Sequence, residues 1–196
     1  GFIKAKEFDL VTVLFTDFKA FSVIAENISG EKLVFSVDYY FKNFDAIIEK
    51  YNLEKIKTIG DAYMCAGGLP TENSSHSEDA LKAALDILDF VKKTKEHPPE
   101  GVYPFEIRIG LNTGPVVAGV VGTKKFQYDI WGNTVNIAAR MESNSVVGKI
   151  NISENTYQLL KDKYNFTYRG IIEVKNSQSL KMYFLEENSK ELVAQT

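Results

Sequence analysis

Two aspartates and a short lysine-bearing turn are the residues whose types and spacing best suit chemistry. In Lys57-Thr58-Ile59-Gly60-Asp61 an ammonium and a carboxylate flank a tight turn, where Gly60 can take a positive φ without strain. Lys57 can address a polar ring edge, and Asp61 can hold a divalent cation. Asp17 follows a run of β-branched and aromatic residues, Asp9 to Phe15, and opens a polar turn through Ser22. If that first strand lies beside the hairpin closed by Gly60, the two carboxylates converge. Two oxygen ligands with space left for phosphate oxygens suit Mg2+, which rarely takes an all-protein cage. Aspartate is also a common turn residue, and spacing alone leaves both readings open.

Four further cations and amides qualify. Asn136 and Arg140 are four apart on a helical segment and share one face. That face either serves a ribose and a phosphate or is simply solvated. Arg108 alternates with Ile107 and Ile109 on an apolar strand, where an unpaired guanidinium is costly to bury and an anionic ligand would pair it. Lys175 closes the strand from Arg169 and by itself carries no signal. Nucleophile chemistry has little to work with. The lone cysteine, Cys65, sits in an apolar segment and is read as a core residue, and His76 and His97 fall in turn-like surroundings and are read as solvated. With no Ser-His or Cys-His pair indicated, an activated nucleophile calls for a metal. The glycines from Gly110 to Gly119 are not a phosphate-binding P-loop, because Val120 and Val121 stand where lysine and Ser/Thr are required; close backbone packing or a bulge explains them better.

The elements that must position these groups alternate. Strands are expected over 9–15, 55–57, 62–66, 105–111, 114–122 and 126–130, with an antiparallel pair at 164–174 and 180–185. Leu33, Val37, Tyr40, Phe41, Phe44, Ile48 and Tyr51 mark a long amphipathic helix. Ser75 with Glu78 resembles a capping box for a second one. Asn133 is expected to cap a helix running to Glu142, and Ser153 a short one. The hairpins call for antiparallel pairing, so the expected class is α+β, a ferredoxin-like split βαβ antiparallel sheet flanked by helices. The 196 residues fit one domain, expected over 1–187, with a mobile tail at 188–196. A net charge of −3 argues against a sequence-independent grip on nucleic acid. No apolar run is long enough to span a bilayer. The chain opens at Gly1-Phe2 without a signal peptide, as an excised domain would, so an upstream regulatory domain is expected.

Four segments together resemble the catalytic domain of the class III nucleotidyl cyclases: Phe15 to Ser22, Lys55 to Met64, Arg108 to Gly119, and Gln127 to Met141. The likeness runs from Asp9 to about Leu185 and is strongest to the adenylyl cyclases. It implies that Asp17 and Asp61 hold two Mg2+ (or Mn2+) ions, with the Phe18 carbonyl as an extra ligand. It also implies that Lys57 and Asp129 read adenine, where guanylyl cyclases typically carry glutamate and cysteine. Asn136 matches the ribose-positioning residue and Arg140 the transition-state arginine. Arg108 and Lys175 match triphosphate contacts, and Phe21 and Ser22 fall in the substrate-binding turn. The implied activity is conversion of ATP to 3′,5′-cyclic AMP and pyrophosphate.

Sites in this family form between two domains, and this chain carries both sets of residues. An antiparallel homodimer with two equivalent sites is therefore expected, with Asp61 and Lys57 of one protomer serving different sites. Ala20 departs from the pattern, standing where the turn usually has glycine. The alternatives are a guanylyl cyclase, disfavoured by Lys57 and Asp129, and a non-catalytic nucleotide-binding or dimerisation module of the same fold. A cytoplasmic location is expected, including that of a cytosolic catalytic domain in a membrane-bound or sensor protein.

Overall fold

Strand order explains how residues distant in sequence meet. The computed structural model describes residues 5–174 and 178–186. Its elements run β1 (Lys6–Phe18), α1 (Phe21–Asn27), α2 (Gly30–Lys50), β2 (Glu54–Ile59), β3 (Ala62–Gly67), α3 (His76–Glu96), β4 (Ile107–Val121), β5 (Gln127–Trp131), α4 (Asn133–Ser143), β6 (Ile150–Ser153), α5 (Glu154–Leu160), β7 (Phe166–Val174) and β8 (Gln178–Leu185). The sheet order is β2-β3-β1-β4-β6-β8-β7, with β5 paired to β4 off that path. The first four strands reproduce the split βαβ arrangement, and β1 does lie beside the hairpin, Thr16 facing Tyr63. One pair, β4 with β6, is parallel and is bridged by α4; the others are antiparallel.

Alternation along the strands divides the side chains between two cores. Leu14, Phe18, Tyr63, Cys65 and Ile109 pack under α2 and α3. Val13, Phe15, Met64 and Val116 pack on the opposite face under Ala138 of α4. Tyr40, Phe44 and Ile48, one helical turn apart, are fully buried along α2. Phe18 stacks on Phe105 at 4.3 Å between ring centres and fixes the end of β1. Because successive strand residues point to opposite faces, anchoring Phe18 in one core turns Asp17 toward the face that carries α4.

Several boundaries differ from the sequence expectation. The segments 105–111 and 114–122 form one continuous strand, β4, because Thr113 and Gly114 stay in register with Thr12 and Val11. Asn133 is the first helical residue of α4 and Gly132 the cap, which makes no side-chain capping bond. Ser75 caps α3 without a capping box: its hydroxyl donates to Asp79 at 2.7 Å, and Glu78 pairs instead with Lys163 and Lys82. Ser153 does cap α5, accepting from the Thr156 amide. His76 is not solvated; it is 3% exposed and bonds to Thr12 through Nδ1 at 2.7 Å. Cys65 is buried, as read. Lys175 and the expected tail at 188–196 lie outside the described residues. No described helix is long and apolar enough to cross a membrane.

Candidate active site

The end of β1 and the β2–β3 hairpin build an acidic cluster. Ile59 faces Ala62, leaving Gly60 and Asp61 as a two-residue turn, and Gly60 takes φ +60°, the first-position glycine favoured in such hairpins. The turn places the Asp61 carboxylate under β1, where the Phe18 amide donates to Oδ2 at 3.1 Å. Burial holds the Asp61 carboxyl above its ordinary range, partly opposed by that amide bond, with the nearby Asp17 charge adding to the rise. Arg108, opposite Asp17 on β4, clamps it in a fork: Nε to Oδ1 at 3.1 Å and Nη2 to Oδ2 at 2.7 Å. The two sequence-predicted carboxylates therefore converge.

Glu142 completes this cluster and was missed in the sequence. It is buried near the end of α4 with Oε2 3.7 Å from Arg108 Nη2 and, among the described residues, without a hydrogen-bond partner for that oxygen. Burial first, then the Asp17 carboxylate, pushes its pKa up to about 9. The one signal for it was position: α4 continues past Arg140 to Ser143, so Glu142 lies on the inward face. Three carboxyl groups and one guanidinium leave the cluster short of positive charge, and the raised acids Asp61 and Glu142 report that shortage. Among the described residues no three acidic, histidine or cysteine side chains form a closed cage. Asp17 and Asp61 thus fit a hard divalent cation that shares its remaining coordination with phosphate and water.

A second cluster lies on the same face of the hairpin. Strict alternation would put Lys57 beside Lys55, whose ammonium pairs with Asp45 of α2 at 2.9 Å. A bulge between Lys55 and Lys57 breaks the alternation and sets Lys57 opposite Met64. Lys57 is thereby re-aimed to the other face. There the β4–β5 ribbon folds over β2, with Gln127 Nε2 donating to the Ile56 carbonyl. Lys57 Nζ meets Asp129 Oδ2 at 2.7 Å, and the Ile130 amide fixes Asp129 Oδ1 at 2.7 Å.

Helix α4 carries Asn136 and Arg140 on its exposed face, with Ala138 buried opposite. Arg140 Nη2 rests on the Glu173 carbonyl of β7 at 3.1 Å. The helix lies hard on β4: a side chain at Gly110 would run into the Glu142 amide at 2.0 Å, and one at Gly114 into Thr134 Oγ1 at 2.5 Å. These glycines are there for close packing, as expected. Phe21 puts its ring against Phe18 and Phe105, while Ser22 is exposed at the start of α1. Ala20 takes the left-handed conformation, φ +55° and ψ +33°. No hydrogen bond or ion pair joins the acidic cluster to the Lys57–Asp129 pair among the described residues.

Known proteins resemble this chain in sequence and fold. Residues 3–187 match the family model of the adenylate and guanylate cyclase catalytic domain. An adenylate cyclase of Mycobacterium tuberculosis is 39% identical over 183 residues, 93% of this chain and 41% of that protein. A receptor-type guanylate cyclase of Caenorhabditis elegans is 38% identical over 190 residues, 93% of this chain and 17% of that protein. The crystal structure of the catalytic core of a rhodopsin-guanylyl cyclase with converted specificity, in complex with ATPαS, superposes with a TM-score of 0.87 at 38% identity, covering 93% of this chain and 97% of that one. The chain spans less than half the length of these two curated relatives.

Proposed function

The chain belongs to the adenylate and guanylate cyclase catalytic-domain family, and from that premise we propose that it is an adenylyl cyclase, converting ATP to 3′,5′-cyclic AMP and pyrophosphate. The observation that carries the choice of nucleotide is the Lys57–Asp129 pair. Adenine presents an acceptor at N1 and a donor at its exocyclic amine; guanine presents the reverse on the same edge. An ammonium donates only and a carboxylate accepts only, so the pair complements adenine and leaves guanine facing like groups. The Ile130 amide holds the accepting carboxylate in place before the base arrives.

The reaction joins the ribose 3′-oxygen to the α-phosphorus and breaks the bond from that phosphorus to pyrophosphate, with the hydroxyl proton released. Asp17 and Asp61 would hold the two Mg2+ (or Mn2+) ions, which when bound supply acidification of the 3′-hydroxyl and charge for the departing phosphates. Asn136 orients the ribose. Arg140 leaves the Glu173 carbonyl and neutralises the α-phosphoryl oxygens, where charge develops in the transition state. Arg108 turns part of its fork from Asp17 toward the triphosphate. Lys175 and the turn at Phe21 and Ser22 complete the phosphate contacts in this reading.

The site is assembled by a two-fold homodimer. Asn136 and Arg140 face outward and, among the described residues, form no hydrogen bond or ion pair with the Asp17–Asp61 cluster, as groups serving a partner's metals would. Phe126 and Trp131, 73% and 43% exposed beside the β4–β5 ribbon, offer apolar surface for a second copy. The relatives' greater length leaves room for a regulatory segment outside these residues. Product analysis with ATP and GTP supplied together, over a range of protein concentration, tests the reading. Cyclic AMP as main product, with specific activity rising with concentration, is expected; preferential cyclic GMP, or no cyclic product, would overturn it.

A further inference from the structure

A continuous line of buried side-chain hydrogen bonds crosses the sheet and ends on α4. His76 Nδ1 lies 2.7 Å from Thr12 Oγ1, and Thr12 Oγ1 lies 2.8 Å from Thr113 Oγ1 on the neighbouring strand. Thr113 Oγ1 is 2.9 Å from Thr156 Oγ1, which is 3.3 Å from Ser153 Oγ. Ser153 donates to Asn112 Oδ1 at 2.6 Å, and Asn112 Nδ2 donates to the Thr134 carbonyl at 3.0 Å. The path starts on the α3 face and reaches the α4 face around the end of β6, where Ser153 is the last strand residue. Every member is at most 3% exposed, except Thr134 at 6%.

We propose that this relay sets the register of α4 on the sheet, and that Asn112 is the positioning residue through which Asn136 and Arg140 are held for the transition state. The proposal rests on the cyclase reading above. Each hydroxyl has one proton to give, so the chain has few self-consistent orders. With a proton on His76 Nδ1, every bond can run one way, from His76 through Thr12, Thr113, Thr156 and Ser153 to Asn112. The Thr134 carbonyl can only accept, so Asn112 Nδ2 faces it and Asn112 Oδ1 takes the Ser153 proton. Ser153 then has no proton for Thr156, whose own hydroxyl must donate to complete that link of the relay. Thr134 lies two residues before Asn136, and its hydroxyl sits against Gly114 with no room for a Cβ there. A second buried amide mirrors the first at the far end of the helix, Asn151 Nδ2 donating to the Met141 carbonyl at 2.9 Å. Helix α4 is thus strapped to the sheet at both ends by asparagines, and its outer face carries Asn136 and Arg140. Among the described residues, the base-reading pair on β2 and β5 has no hydrogen bond to the relay.

This separation gives the proposal a kcat-against-KM readout, taken where every variant is shown to be folded. Thr156→Val keeps the shape and removes the hydroxyl in mid-relay, while Thr156→Ser keeps the hydroxyl. At a temperature where both variants are folded, Thr156→Val is expected to lower kcat about tenfold with the KM for ATP within about twofold, since unpaired buried donors and acceptors let the strap loosen. Amide hydrogen exchange over residues 137–141, whose amides bond back onto the first turn of α4, is expected to speed up about tenfold in the same variant. Thr156→Ser should restore both. Unchanged kcat and exchange in Thr156→Val overturn the proposal, as do a serine variant as impaired as the valine one or kcat and KM changing in parallel. If Thr156→Val does not fold, Thr113→Val against Thr113→Ser reads the same relay one step on. If the unmodified protein forms no cyclic nucleotide, the cyclase reading fails, and the exchange measurement still decides whether the relay holds α4.

Discussion

The strand-end cluster and the Lys57–Asp129 pair sit on one face of one hairpin and handle charge in opposite ways. At the strand end, Asp17, Asp61 and Glu142 share a single guanidinium, and burial raises the carboxyls of Asp61 and Glu142. On the hairpin's other arm one ammonium meets one carboxylate at 2.7 Å, with nothing left over. A charge-deficient site is completed by a cation from solution. A charge-balanced site is completed only by a ligand that offers both pair members what they already give each other. The first arrangement suits chemistry and the second suits selection.

Removing a carboxylate proposed to hold metal should therefore have the largest effect. Asp61→Ala is expected to cut turnover by about 1,000-fold or more while the fold survives, because the lost group is a half-buried acid held above its ordinary range. Initial rates with Mn2+ and a thermal melt check both; substantial residual activity would detach Asp61 from the chemistry. Exchanging the selective pair, Lys57→Glu with Asp129→Cys, should move the ATP-to-GTP preference by on the order of 100-fold and leave total turnover far less affected. Competition between the two nucleotides reads this. An unchanged preference would mean that the pair is structural.

Smaller effects probe the charge shortage itself. The folded chain holds the Glu142 proton up to about pH 9, whereas the unfolded chain releases it in the ordinary carboxylate range. Its contribution to stability is thus complete below that range and is lost as pH rises through the folded value. Unfolding free energy should fall between about pH 5 and pH 9, by at most about 1.4 kcal/mol per unit, and Glu142→Gln should flatten the slope. Denaturant titrations at several pH values without metal test this, and equal slopes in both proteins would refute it. The smallest change is expected at Ala20, whose φ of +55° is left-handed. Ala20→Gly should stabilise the chain by about 1 kcal/mol, read from the denaturant midpoint.

The sequence made one of these regions more legible than the other. Asp17 and Asp61 could be joined from strand patterning and a glycine turn, because β1 beside β3 is what a split βαβ sheet requires. The aim of Lys57 could not be read, because a one-residue bulge reversed its face and alternation alone predicts the wrong one. Its assignment to adenine together with Asp129 came from family resemblance, and the bulge is what brings the two side chains together. Glu142 escaped because its importance lies in burial against β4, where Gly110 lets the helix come close. His76 escaped for a similar reason: Ser74 to Ser77 reads as a polar turn, and only the buried threonines beneath show that the ring points inward.

The claim that the strand-end cluster of one protomer works with Lys57, Asp129 and Arg140 of the other is tested most directly by mixing two inactive proteins. Asp17→Ala and Arg140→Ala should each be inactive alone with ATP and Mn2+. Mixed in equal amounts and allowed to exchange subunits, they should recover cyclic AMP formation at about a quarter of the unmutated rate, because half the dimers are mixed and each has one intact site of two. No recovery, in a mixture shown to contain heterodimers, would contradict the shared site.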